Sequence, residues 1–220
     1  MSSFEKLEKN RVRRHPERAA YDKEVIYPII DEAIICHVGF VQDQQPFVIP
    51  TLHARREDEI LLHGASSSRL LRHAVTGAEL CITMTLLDGL VLARSAMNHS
   101  ADYRSVVLFG SGTIIDTLGE KLQALQELTN YIVPGRWADV RPPSAKELKA
   151  TTIVSVPIEL ATAKMRQGPP VDDEGDYGLN VWAGNLPLRQ QVGEPIDDPK
   201  LKVGIAVPDN VRRYVKKQRR

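Results

Sequence analysis

The sequence predicts a mainly β protein, an antiparallel barrel, closed or split, with a few short helices set between its strands. Three observations predict it. Six or seven strand-like runs rich in Val, Ile, Leu and Thr lie between residues 34 and 165. Polar turns of hairpin length join several of them, so neighbouring strands should pair antiparallel. Only three helical patterns are inserted, too few for the strand–helix alternation of a parallel sheet.

Residues 1–20 are polar and basic, and they read as irregular. A helix is expected from Asp22, its N-cap, to Ala33, with Val25, Ile26, Ile29 and Ile30 on one face. Pro28 should kink it or split it. Strands at 34–41 and 46–53 flank the polar turn QDQQ and make a hairpin. A second loop, ARREDE, leads to a short strand, Ile60 to His63, and then to a helix that stops at Gly77. ELCITMTLL, at 79–87, is β-branched, and Asp88-Gly89 reads as a tight turn into a strand at 90–96. A long strand follows at 103–116. Thr117 and Glu120 form a capping box for a helix over 118–133, with Leu118, Leu122, Leu125 and Ile132 on one face. Pro134-Gly135 ends that helix, a last long strand covers 151–165, and the remainder reads as loop and loose tail.

The chain has 220 residues, 42% hydrophobic and 26% charged, with a formal net charge of +1, the profile of an ordinary soluble domain. That balance gives no pull towards nucleic acid or an anionic membrane, although both ends carry basic runs. No run approaches the roughly 20 apolar residues of a membrane span, and no apolar leader precedes the charged start. Cys36 and Cys81 sit inside apolar strands, as buried free thiols do in a reducing compartment, so the expected location is cytoplasmic. The six histidines include no HxxxH pair, and no metal site is expected.

One stretch has the makings of a ligand site: LLHGASSSRLLRHA, residues 61–74. A strand ends at His63, turns at Gly64, and passes through Ser66 to Ser68 into a helix opened by Arg69. The first amides of a helix lack internal partners and carry partial positive charge, which suits a phosphate. Arg69 can add a bidentate fork and the serines rotatable donors. An ordinary serine N-cap beside a solvated arginine fits the same residues. The pair of glycines in GSG, 110–112, lacks the third glycine of a dinucleotide fingerprint and reads as a bulge or a close backbone approach.

The segments RVRRHPERAAYDKEVIYPIIDEA, CHVGFV, PFVIPTLHAR, LLHGASSSRLLR, TMTLLDGLVLARSA, YRSVVLFGSG, VPGRWADVR, AKMRQGPP and VWAGNLPLR, in this order, resemble the pyridoxamine 5′-phosphate oxidase-like family. The branch most similar is that of flavin-nucleotide-binding, nitroimidazole-resistance-type proteins. The resemblance implies a six-stranded antiparallel split β-barrel of the FMN-binding type over residues 21–190, between a basic arm at 1–20 and a tail at 191–220. It also implies a homodimer with FMN at the subunit interface and a small-molecule substrate. Pro50 and Thr51 would line the flavin ring, with His63 and Gly64 beside the ring or ribityl chain. Ser67, Ser68 and Arg69 would hold the phosphate. Arg104 or Ser105 would touch the cofactor, and Trp182, in the W-x-G segment, would reach the partner's flavin. His63 is the catalytic candidate, a ring able to tune the flavin or pass protons. The Arg/His pattern that follows W-x-G in relatives acting on pyridoxamine phosphate is missing, since Arg189 stands there without a histidine. The expected activity is therefore an FMN-dependent oxidoreductase acting on another small organic substrate. A flavin-binding module without turnover, and a barrel holding deazaflavin or haem through His63 or another histidine, are the alternatives.

Overall fold

The computed structural model describes residues 2–218. Its elements are β1 (Ala19–Ala20), α1 (Lys23–Glu32), β2 (Ile35–Gln42), β3 (Gln45–Leu52), β4 (Ala54–Arg56), β5 (Glu59–Ala65), α2 (Arg69–Ala74), β6 (Glu79–Leu92), β7 (Ser100–Ser111), β8 (Thr113–Ile114), α3 (Leu118–Ile132), α4 (Ala145–Ala150), β9 (Thr151–Pro157), β10 (Leu160–Arg166), β11 (Gly184–Pro187) and α5 (Asp209–Gln218). All strand pairing is antiparallel. One sheet runs β1-β10-β7-β6-β2-β3, with β11 also paired to β6; the other runs β4-β5-β9-β8. Strands run on from one sheet into the other at β3/β4, β7/β8 and β9/β10, and α2 carries the chain across between β5 and β6, which makes six long strands of a split barrel. The strand expected at 151–165 is thus present as two halves lying in different sheets.

Alternation along the strands fills the barrel interior. Cys36, Val38, Ile60, Leu62, Leu80, Ile82, Met84, Val106, Leu108, Val154 and Val156 point inward and meet Ile26, Ile29 and Ile30 of α1. A second, smaller core lies on the other side of β5 and β9, where Leu61 and Ile153 meet Ala124 and Leu128 of α3.

Several elements differ from the sequence reading. Asp88-Gly89 is a β-bulge inside one continuous β6, not a hairpin turn. The Asp88 carboxylate is drawn to Arg104, and a Cβ on Gly89 would meet the Leu186 carbonyl at 3.1 Å, so β11 can pack there because the residue is glycine. Pro28 does not split α1; it sits on the solvent side, where water can reach the carbonyl it leaves unbonded. The face of α3 that packs is set by Ala124 and Leu128, while Leu118 and Ile132 are 63% and 42% exposed. A small residue at 124 lets the helix approach the sheet, and of the expected stripe Leu125 packs against this core while Leu118 and Ile132 point to solvent. Two helices, α4 and α5, occupy stretches read as loop and tail. The first has a full Ser144/Glu147 capping box.

His53 shows how the barrel is closed beside α1. Its Nε2 lies 3.1 Å from the Ile30 carbonyl, and the Tyr131 hydroxyl lies 2.7 Å from the same oxygen. Together they satisfy carbonyls that a helix end leaves free. The His53 Nδ1 is buried with no partner. Protonation there would add a donor with nothing to receive it, so burial holds the imidazole below its ordinary value of 6.5. The same cause and direction apply to His63. In the unfolded chain both rings take up protons first as pH falls, so the folded state binds fewer. Stability is therefore full above about pH 6.5 and declines as pH falls from there towards the depressed folded values. His53→Gln keeps a donor to Ile30 but cannot titrate. Urea midpoints across that window should fall less steeply for this variant than for the wild type, and parallel curves would contradict the assignment.

Candidate functional site

The groove of interest lies between the free edge of β3 and the start of α2. β3 ends its sheet, so one of its edges carries no strand. The β2–β3 turn that produces it places Asp43 and Gln44 at positive φ, as a two-residue hairpin of type I′ requires. Phe40 of β2 and Phe47 of β3 stack at 5.4 Å between centroids. His73 of α2 lies on the other side of Phe40 at 4.6 Å, and the Arg69 guanidinium covers Phe47 at 4.3 Å. Aromatic packing therefore anchors the Arg69 guanidinium over Phe47. Arg69 makes no ion pair among the described residues, and it is exposed.

The segment before α2 is organised by backbone bonds. The Ser66 amide donates to the Ala150 carbonyl at 3.0 Å, and the Ser68 amide to Ala65 at 2.9 Å. Ser68 occupies the N-cap position, but its side chain makes no capping hydrogen bond. The plain N-cap alternative is thus not realised, and the hydroxyls of Ser67 and Ser68 are left for an outside acceptor. Gly64 allows this close fit: a Cβ there would press on Leu71 at 3.2 Å. Pro50 and Thr51 lie further along β3, roughly 10 Å beyond Phe47 at the usual strand rise. Thr51 is half-buried, its hydroxyl near its neighbour's carbonyl, while Pro50 is exposed opposite His37 of β2.

The other expected site residues do not converge on this groove within one chain. Successive strand residues face opposite ways, so His63 shares the α3 side of β5 with Leu61, and only Gly64 faces α2. The His63 Nδ1 is buried without a partner. Arg104 is held in a fork between two carboxylates, with Glu32 at 2.5 and 2.8 Å and Asp88 at 2.8 and 2.9 Å. Those partners, Glu32 first, raise its pKa further and tie α1 to the bulge of β6. The Ser105 hydroxyl donates to the Lys164 carbonyl at 3.0 Å. Trp182 is 65% exposed, its ring lying against Gly184 of β11. β11 pairs with the far end of β6, Gly184 opposite Leu92, whereas the groove lies by Leu80. Some twelve residues of β6 lie between, roughly 40 Å along the strand, and no contact joins Trp182 to Phe47 or Arg69 among the described residues.

Two features were not legible beforehand. Phe47, the support beneath Arg69, is distant in sequence and carries no motif. A clamp holds β11: Asp102 accepts from Arg166 and from Asn185 at 2.5 Å, while Arg166 donates to the Gly168 and Pro169 carbonyls at 2.7 Å. It depends on three separate segments meeting.

Two switching sheets and a groove at a free strand edge define a split-barrel protein. The profile of the family described as Pyridoxamine 5'-phosphate oxidase matches residues 22–165, and the chain belongs to that family. Among solved structures, the flavocytochrome Anf3 from Azotobacter vinelandii is 38% identical with a TM-score of 0.89, covering 94% of this chain and 96% of that one. The FAD and heme binding protein from Mycobacterium smegmatis is 34% identical with a TM-score of 0.85, covering 89% and 96%. A protein from Bacteroides thetaiotaomicron named for 5-nitroimidazole antibiotic resistance is similar in fold, at 24% identity and a TM-score of 0.55 over 66% and 85%. No curated protein matches the chain. No helix among the described residues is long and apolar enough to cross a membrane.

Proposed function

We propose that this chain is a flavin-dependent oxidoreductase that works as a homodimer and also binds haem. The observation that carries the flavin reading is Arg69, set over the Phe47 ring with no acidic partner among the described residues, beside a helix start without a side-chain cap. An anion of phosphate type fits that donor set: one guanidinium fork, the Ser67 and Ser68 hydroxyls, and the first amides of α2. One arginine and one uncapped turn provide for one phosphate, which favours FMN; FAD, for which the M. smegmatis relative is named, is the competing outcome. Pro50 and Thr51 would border the ring along the free edge of β3, and Trp182 of the partner subunit would close the other side. The dimer reading is supported by the apolar residues that the large sheet leaves exposed, among them Val48, Val107, Ile35 and Leu87. Arg104, saturated by carboxylates, is assigned a structural role, and His63, on the opposite face from Gly64, is given no catalytic one.

A bound flavin would supply hydride and electron transfer to a small organic acceptor, and the protein would contribute binding, orientation and exclusion of water. The haem reading is favoured by the two relatives above 30% identity, one named a flavocytochrome and the other for FAD and haem. The absorption spectrum of the purified protein tests both groups, and chromatography of the released cofactor separates FMN from FAD. Flavin bands with a Soret band are expected. A colourless protein that takes up neither group would overturn the proposal. Arg69→Ala is expected to weaken flavin-nucleotide binding by about 1.5–3 kcal/mol, the range for a charge-assisted hydrogen bond. Full retention of cofactor by that variant on dialysis would remove the phosphate assignment.

A further inference from the structure

We propose that the open cavity between α5 and the chain segment at Glu194–Pro195 binds a small apolar carboxylate, at a site separate from the flavin groove. The cavity has a volume of about 500 Å³ and is lined by Glu194, Pro195, Val207, Arg212, Val215 and Lys216. That volume is in the range of small-molecule sites, which combine apolar walls with a few placed polar groups. α5 is fixed from the side of the barrel. Asn210 donates to the Asp139 carboxylate at 2.7 Å, and Val215 is buried. The helix begins where the Arg212 amide meets the Pro208 carbonyl at 3.1 Å. The opposite wall, Glu194 and Pro195, belongs to no helix or strand, and Pro195 has no amide with which to pair.

The chemistry of the lining selects the ligand. Arg212 and Lys216 stand four residues apart on α5 and therefore on one side of it. The carboxylate beside Arg212 is Asp209 at 3.7 Å, a pair with both side chains exposed and little held between them. Lys216 makes no ion pair among the described residues. Glu194 is the one acid in the lining, so the two cations leave one net positive charge. Pro195, Val207 and Val215 supply walls with no side-chain hydrogen bond to offer. A monoanion with an apolar body satisfies both parts: its carboxylate faces the guanidinium fork and the ammonium, and its hydrocarbon leaves water against the three apolar side chains. A nucleotide suits the site less, because no aromatic ring lines it. The flavin groove is elsewhere. Leu70 and Leu71 of α2 close the barrel interior, whereas α5 docks on the chain just after α3, which packs on the opposite face of β5 and β9. The inference therefore stands apart from the flavin and haem readings.

Octanoate titrated calorimetrically into the full-length protein should bind at one per chain, and 1-octanol, its uncharged counterpart, more weakly. Arg212→Gln combined with Lys216→Gln should weaken octanoate binding at least about tenfold. Both side chains are exposed, so the fold should be kept. Arg213→Gln combined with Lys217→Gln removes the same charge from α5 outside the cavity, and should bind octanoate as the wild type does. Equal losses in the two double variants would reduce the effect to net charge and overturn the site. So would octanol binding as tightly as octanoate, no octanoate binding by the wild type, or several octanoates per chain insensitive to Arg212 and Lys216.

Discussion

Gly110→Ala is expected to destabilise the fold by about 3 kcal/mol or more, at the upper end of overpacking. Gly110 lies in β7 just before the strand leaves one sheet for the other, where the corner between β9 and β10 crosses it. A Cβ at 110 would stand 2.1 Å from the Pro157 carbonyl oxygen and 3.0 Å from Val156 Cγ1. The first of these is backbone, fixed by the pairing of β9 with β5, and cannot step aside as a side-chain tip could. Gly112 is in the same position against the Ala74 carbonyl at 2.7 Å. The internal control is Gly119→Ala in the first turn of α3, where nothing lies within 4 Å and alanine should gain up to about 1 kcal/mol. Urea midpoints should move in opposite directions for the two alanines. A Gly110→Ala protein as stable as the wild type would mean that the sheets do not cross there.

Arg166→Ala should cost about 3–5 kcal/mol, the range for removing one partner of a buried ion pair. The Arg166 and Asp102 side chains are only 8% and 13% exposed, so the vacated charge is not taken up by bulk water. The Gly168 and Pro169 carbonyls lose the Arg166 bonds as well, so that beyond its pairing with β6 the strand β11 is held on this side only by Asn185, through Asp102 and Gly168. Trp182 stands two residues before β11, so its fluorescence should shift in the same variant. Asp102→Asn combined with Arg166→Ala should be milder than the sum of the single changes, because the charges are lost together. Strict additivity would show that the clamp is not a unit.

How much of this was legible in the sequence depends on how local each feature is. The capping box at Thr117 and Glu120 and the strand–turn–helix at 61–74 are set by neighbouring residues, and the chain folds as they indicate; the glycines of 110–112 signal a close approach, but the backbone they meet, Pro157 and Ala74, is distant in sequence. Asp88-Gly89 has the dipeptide of a hairpin, but β11 and Arg104 claim that position from outside, and a tertiary contact outweighs a turn preference. The inward face of α3 follows Ala124, because the depth of packing against β4 and β5 favours a small side chain over the more apolar stripe. The helix at 145–150 was signalled by Ser144 and Glu147 and could have been read. α5 could not, since its docking depends on Asn210 meeting Asp139 and Val215 finding cover. For the site, the residues proposed to hold a phosphate form a local motif readable in the sequence, whereas Phe47 beneath Arg69 carries no such signal. The expectation that His63 and Gly64 would work side by side overlooked the alternation of a strand.

The central claim is that Arg69, Ser67 and Ser68 grip a phosphate, so the most direct measurement compares the wild-type affinities for FMN and riboflavin by quenching of flavin fluorescence. These ligands share the ring and the ribityl chain and differ in the phosphate alone. FMN should bind more tightly by about 1.5–3 kcal/mol, roughly ten- to a hundredfold. Equal affinities would contradict the account.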